Sequence, residues 1–197
     1  MNEYIQIFAL VTGIIYMVMQ ITQHKLMWYV DLLTAGAACY VSVANFQDGV
    51  WAPVWAQAAM NAYYIVMAVV GIVKWKQFDE KSGGRLHIVK PEKSDAAVAA
   101  AILAVGSPLL CFLLSRTNDP APIADGLSMM FSIVGTWFLA KSFLENWAMW
   151  IAADILAVII YGSQDAWWMA VLYFCYIISS VIGISHWKKN GIHISDQ

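Results

Sequence analysis

With 197 residues, 61% of them hydrophobic and 12% charged, and a mean hydropathy of +0.63, the chain is not composed like a soluble domain. The net charge of −2 says little until its distribution is read, and the three cysteines (Cys39, Cys111, Cys175) all fall in apolar runs without CxxC or metal-type spacing. Neither a bound metal, nor a cofactor, nor a nucleic-acid partner is expected.

The start, Met-Asn-Glu-Tyr-Ile-Gln-Ile-Phe, lacks a basic n-region, so no cleaved signal peptide is expected. Seven apolar runs follow, at 4–22, 26–46, 54–75, 96–115, 123–143, 147–163 and 167–187. Each is about the length a helix needs to cross ~30 Å of hydrocarbon. On the first run Gln6, Gly13 and Gln20 share a face. The second opens Met27-Trp28-Tyr-Val-Asp31, placing a carboxylate near its start. On the third, Gln57, Asn61, Tyr64 and Ala68 share a face, and the run ends Gly71-Ile-Val-Lys-Trp75-Lys76. Residues 76–95, with Gly83-Gly84 and mixed charges, read as a solvated cytoplasmic loop, and 96–115 as a linker helix. On the sixth run Trp147, Trp150, Asp154 and Tyr161 fall within an arc of about 60°. On the seventh, Met169, Tyr173, Tyr176 and Ser180 share a face, and the run ends Gly183-Ile-Ser-His-Trp187-Lys188.

Numbering the connections alternately sorts ten of the 11 basic residues to one side, from Lys25 through Lys74, Lys76, Lys81, Arg85, Lys90, Lys93 and Lys141 to Lys188 and Lys189. Arg116 is alone on the other. This positive-inside pattern predicts an all-α polytopic membrane protein, N-terminus out and C-terminus in the cytoplasm.

The chain also repeats itself. Gly71 and Trp75 match Gly183 and Trp187 at an offset of 112, as do Trp55 with Trp167 and Tyr64 with Tyr176, and Asn61 falls opposite Tyr173. Met27-Trp28 matches Met149-Trp150 at an offset of 122, which also aligns Gly13 with Gly135. Three helices (4–75), a linker helix (96–115) and three more (123–187) predict a 3+1+3 arrangement of parallel repeats, as in the SWEET class.

Function is expected where polar groups enter the membrane. Asp31 and Asp154 lie inside predicted spans, where an ionised side chain costs ~2.5–3.5 kcal/mol at the midplane. The plain alternative is that they sit at helix ends or bond neighbouring helices. Aromatic rings interleaved with a carboxylate and amides on several helices suit a planar, cationic heterocycle. A retinal-type photoreceptor is excluded because residues 167–186 hold no lysine. Enzyme chemistry finds no support, since His24, His87, His186 and His193 lie at span ends or in loops. A structural membrane subunit would not need the polar stripes.

The segment Glu145-Asn-Trp147-Ala-Met-Trp150-Ile-Ala-Ala-Asp154 resembles the WxxWxxxN motif of the PnuC family of vitamin transporters, with Asp in place of the final Asn. The preceding Ser-Met-Met-Phe-Ser-Ile-Val and the Gly71…Trp75 and Gly183…Trp187 endings resemble that family too. The resemblance implies facilitated diffusion of a B-vitamin precursor across a bacterial inner membrane. It also implies trapping by a cytoplasmic kinase and a possible homotrimer. It places substrate contacts at Trp147, Trp150 and Asp154, and at Asn61 where the family has a glutamine. Gln57, one turn earlier, can supply a longer amide, and Tyr64, Tyr173, Tyr176 and Asp31 complete the expected site. The change from Asn to Asp favours a thiamine-type (PnuT) branch, because a carboxylate accepts from an aminopyrimidine and balances a thiazolium. Nicotinamide riboside is the alternative ligand.

Overall fold

The computed structural model describes residues 15–44, 46–47, 50–51, 55–117 and 120–194, with side chains at all of these except 41, 46, 47, 50, 51 and 55–57. Among these residues the chain forms seven helices: α1 (15–21), α2 (Met27–Val43), α3 (Trp55–Ser82), α4 (Lys93–Leu114), α5 (Pro122–Ala140), α6 (Asn146–Ser163) and α7 (Trp167–Asn190). Five of them, α3 to α7, are long and apolar enough to cross a membrane. Leu33, Tyr40, Val105, Ile159 and Phe174 face outward, as expected of helices whose outer surface meets lipid. α2 packs on α3, α6 packs on both α5 and α7, and α3 crosses to α5. In α4 a π-helical turn, Ile102–Gly106, precedes Pro108. Proline has no N–H to give and its ring crowds the carbonyl four residues back, which falls in that turn.

The connection at 76–95 differs from the solvated loop expected. Lys76, Gln77, Glu80 and Lys81 are good helix formers, and residues 76–82 prolong α3 by two turns, burying Phe78. Gly83 and Gly84 then take left-handed φ values of 66° and 75°, and the Gly84 N–H bonds back to Asp79 O at 2.9 Å, closing the helix. The next residues form a buried strand, β3 (His87–Val89), paired in parallel with β4 (Ile192–Ile194). Two short strands earlier in the chain, β1 (Phe46–Gln47) and β2 (Val50–Trp51), pair as an antiparallel hairpin.

β3 fastens two turns together. Gln23, buried in the turn after α1, donates from Nε2 to His87 O (2.8 Å) and accepts the His87 N–H (2.9 Å). Val89 N–H donates to Ser142 O, in the turn after α5, at 3.1 Å. The His87 ring packs against Trp75 and Phe78, and burial holds its pKa below the ordinary value of 6.5. Gln23→Ala should leave both His87 backbone groups buried and unpaired. The expected cost is about 2–4 kcal/mol, at ~1–3 kcal/mol per orphaned group, read as a lowered thermal midpoint. The exposed neighbour Thr22→Ala should shift that midpoint little.

The two halves reuse the same local structure. Gln23 and Ser142, 119 positions apart, both have positive φ (50° and 56°). His24 N–H bonds to Met19 O at 2.8 Å, and Phe143 N–H to Phe138 O at 2.9 Å. Trp28 meets Trp75 edge-on at 5.3 Å, and Trp147 meets Trp187 edge-on at 5.4 Å. Gly71 lies flat against the Trp28 ring and Gly183 against the Trp147 ring, so close that a Cβ at either would collide with the indole. The indole N–H groups cross between halves: Trp75 donates to Leu139 O at the end of α5 (3.1 Å), and Trp187 to Ile21 O at the end of α1 (2.9 Å).

These correspondences correct the register read from sequence. Trp28 stands opposite Trp147, not Trp150, so at the same spacing Asp31 falls opposite Trp150 and Ala35 opposite Asp154. The repeated Met-Trp dipeptide had suggested a spacing three residues too long. Gly13 lies outside the described residues.

Candidate functional site

α6, 18 residues from Asn146 to Ser163, holds no proline and no glycine before Gly162, so its stripe keeps a regular helical pitch. Trp147, Trp150, Asp154 and Tyr161 all open on one cavity of about 400 Å³. α7 adds Tyr173, Tyr176, Ser179 and Ser180; α5 adds Asp125, Ser128 and Ser132. From the first half come Tyr16, Met17, Gln20 and Ile21 on α1, and Tyr64 on α3.

The walls are held by packing and hydrogen bonds. Trp147 is clamped between Gly183 and the edge of Trp187. Tyr161 and Tyr173 stack at 5.3 Å with planes 11° apart, and Tyr176 closes on Tyr173 at 5.6 Å, edge-on. The Ser128 hydroxyl donates to Ala153 O at 3.1 Å, tying α5 to α6 beside Asp154.

Several polar groups are unpaired. Asp154 is 5% exposed, and its carboxylate has no hydrogen-bond or cationic partner among the described residues. The indole N–H groups of Trp147 and Trp150 are buried without an acceptor. Among the described residues no Lys, Arg or His lines the cavity. Buried polar groups normally find partners, and an isolated carboxylate in an apolar setting is costly. Flat aromatic walls beside a carboxylate that has no cationic partner among the described residues suit a planar, cationic solute. No group of three or more potential metal ligands occurs among the described residues.

Of the residues expected from sequence, Trp147, Trp150, Asp154, Tyr64, Tyr173 and Tyr176 come together on this cavity. Asp31 does not line it. Its Oδ2 is buried without a hydrogen-bond partner, and its charge acts on the hydroxyls of Tyr16 and Tyr64, which do line it. Asn61 is half-buried and is not on the wall. The Gln57 side chain lies outside those described.

Sequence reasoning missed Asp125, Ser128, Ser132, Ser179, Tyr16 and Met17, and saw Gln20 only as part of a stripe. A signal existed on α5, where Asp125, Ser128, Ser132 and Thr136 recur at spacings of three, four and four along one face.

The chain matches the family model described as nicotinamide mononucleotide transporter over residues 3–189. Among curated proteins it is similar to the nicotinamide riboside transporter PnuC of Neisseria mucosa, with 25% identity over 142 residues, covering 64% of this chain and 52% of the relative. It is also similar to the protein of the same name from Escherichia coli, with 26% identity over 73 residues, covering 37% and 30%. The chain thus spans about half the length, or less, of these curated relatives. Among solved structures, the crystal structure of the vitamin B3 transporter PnuC aligns with a TM-score of 0.61 and 22% identity, covering 92% of this chain and 79% of that one. That likeness is one of fold. These relatives' names carry nicotinamide riboside or vitamin B3; the preference for thiamine finds no support in them.

Proposed function

The chain belongs to the nicotinamide mononucleotide transporter family, and we propose that this membrane protein carries nicotinamide riboside by facilitated diffusion through the cavity around Asp154. The observation that carries the reading is the buried, unpartnered Asp154 carboxylate among indole and phenol walls. The nicotinamide ring of the riboside is a planar cation. Its charge offsets the carboxylate, and its face stacks on the indoles. Its carboxamide NH₂ donates to Asp154.

The exchange of Asn for Asp therefore does not select thiamine. Both solutes are cations with an NH₂ donor, so a carboxylate serves either one. The wall of serines and tyrosines favours the ligand that carries a sugar.

In this reading two three-helix halves, joined by α4 in a 3+1+3 arrangement, rock about the cavity to expose it alternately to each side. The matched turns and the crossed indole bonds support such halves. The sorted basic residues favour an outward N-terminus and a cytoplasmic C-terminus in a bacterial inner membrane. A cytoplasmic kinase then traps the substrate by phosphorylation. The phosphate ester is held off because no basic residue among those described lines the cavity to meet it.

Proteoliposomes test this directly. Labelled nicotinamide riboside should equilibrate into the lumen, saturably, without a proton or sodium gradient. Uptake that requires a gradient, or that occurs for thiamine and not for the riboside, would refute the reading.

A further inference from the structure

Two neutral polar side chains on the cavity wall are not used by the contacts above. Gln20 on α1 and Ser180 on α7 both line the cavity, and they are only 8% and 4% exposed. Neither side chain makes a hydrogen bond among the described residues. A serine in an apolar helix usually turns its hydroxyl back onto the carbonyl four residues earlier. Ser132, Ser179 and Ser185 do so, and Ser180 does not. Buried amides and hydroxyls normally have partners. A glutamine amide and a serine hydroxyl each donate and accept, so together they suit a solute whose own groups do both.

Their height in the bundle follows from three contacts. Ile21 O, on the residue after Gln20, accepts the Trp187 N–H at 2.9 Å, and Trp187 meets Trp147 edge-on at 5.4 Å. Gly183 lies against the Trp147 ring, and Ser180 is three residues before it on the same face of α7. Both side chains therefore belong to the Trp147 end of the cavity. Asp154 is seven residues further along α6, about 10 Å along the axis at 1.5 Å per residue, with Trp150 between.

A pyridinium riboside carries its groups in the same order. Its carboxamide and its sugar hang from different ring atoms and point apart. With the carboxamide at Asp154 and the ring face on Trp150, the sugar extends to the Trp147 end, where the unpaired amide and hydroxyl lie. The vicinal hydroxyls of a ribose each donate and accept. A single glutamine amide can take a hydrogen bond from one and give one to the other.

We infer that Gln20 is a specificity-determining residue that pairs with the vicinal hydroxyls of a ribose, with Ser180 as its second partner. The pair makes the cavity a riboside site rather than one for pyridinium rings in general. This rests on the proposed function and deepens it.

The test compares nicotinamide riboside with its 2′,3′-dideoxy form, which keeps the cationic ring, the carboxamide and the sugar ring but lacks the two vicinal hydroxyls. Both are titrated calorimetrically into the purified protein as wild type, Gln20→Met and Ser180→Ala. Wild type should bind the riboside roughly 10–100-fold more tightly than the dideoxy form, as two or three neutral hydrogen bonds warrant. Gln20→Met keeps the length of the side chain without its polar atoms. That advantage should fall about tenfold in it, with the affinity for the dideoxy form within about twofold of wild type. Ser180→Ala removes a single oxygen, guards against a folding defect in the first variant, and should lower the advantage about threefold. The inference is overturned if wild type binds the two ligands alike, or if the riboside's advantage persists in both variants. It is also overturned if Gln20→Met weakens both ligands by the same factor, as it would if Gln20 met the carboxamide or merely held α1 in place. Failure of wild type to bind the riboside at all would bring down the functional reading, and this inference with it. Normal riboside binding with an unchanged advantage in the variants would bring down the inference alone.

Discussion

In the Asp154→Asn variant, nicotinamide riboside should lose most of its advantage over its dihydro form, which is nearly the same shape but neutral. Asp154 on the cavity wall has no cationic partner among the described residues, and a substrate cation supplies the missing charge. Opposite charges about 4 Å apart at an effective dielectric near 20 attract by ~4 kcal/mol before desolvation is deducted. A net preference of about 1.5–3 kcal/mol for the cation is therefore expected, a factor of roughly 10–100. Asparagine keeps the size and the acceptor oxygen but carries no charge, so the ratio of the two affinities should fall toward one. The variant should also melt higher when empty, since it removes an uncompensated buried carboxylate. Asp154→Ala should weaken both ligands, because it removes the hydrogen bond as well. Competition titrations of the two ligands on wild type and both variants provide the check. A ratio unmoved by Asp154→Asn would mean that the carboxylate does not meet the ring's charge.

The second large effect joins the fold to the site. Gly183→Ala should destabilise the protein and disable binding together. A Cβ at Gly183 collides with the Trp147 indole, whose ring is a wall of the cavity and cannot retreat because Trp187 meets it edge-on. Over-packing of this kind costs about 1–3 kcal/mol. The displaced indole would also disturb the stacking surface, so substrate affinity should fall more than tenfold. Gly71→Ala makes the equivalent collision with Trp28, which is buried but does not line the cavity. It should lower the thermal midpoint by a similar amount and change affinity far less. Equal losses of affinity in the two variants would show that the effect is only general instability.

Much of this was legible in the sequence, for reasons that also explain the rest. Hydropathy found the apolar runs because lipid demands them, and the positions of Lys and Arg marked one end of the bundle. Hydropathy does not say which side of a helix faces inward when every side is apolar. The sixth and seventh runs escaped that limit because Trp147, Trp150, Asp154, Tyr173 and Tyr176 are large or polar enough to mark their own faces. The serines of α5 were harder to read. In a membrane helix a serine often bonds the carbonyl four residues back, as Ser132 does to Ser128 O, and only Ser128 reaches across to another helix. The paired Gly71 and Gly183 were visible as a repeat, but the rings they lie against were not. The Met-Trp dipeptides therefore set a register three residues off. The buried strand His87–Val89 was hidden because its partners, Gln23, Ser142 and Ile192–Ile194, lie far away in sequence.

The first experiment is an equilibrium titration of the purified protein by tryptophan fluorescence, with nicotinamide riboside and thiamine added separately. Trp147 and Trp150 are on the cavity wall and should report occupancy. Saturable quenching by the riboside, with much weaker quenching by thiamine and loss of the signal in Trp150→Phe, is the expected result. Saturation by thiamine at lower concentration than by the riboside, or no saturable response to the riboside, would contradict a nicotinamide riboside site at this cavity.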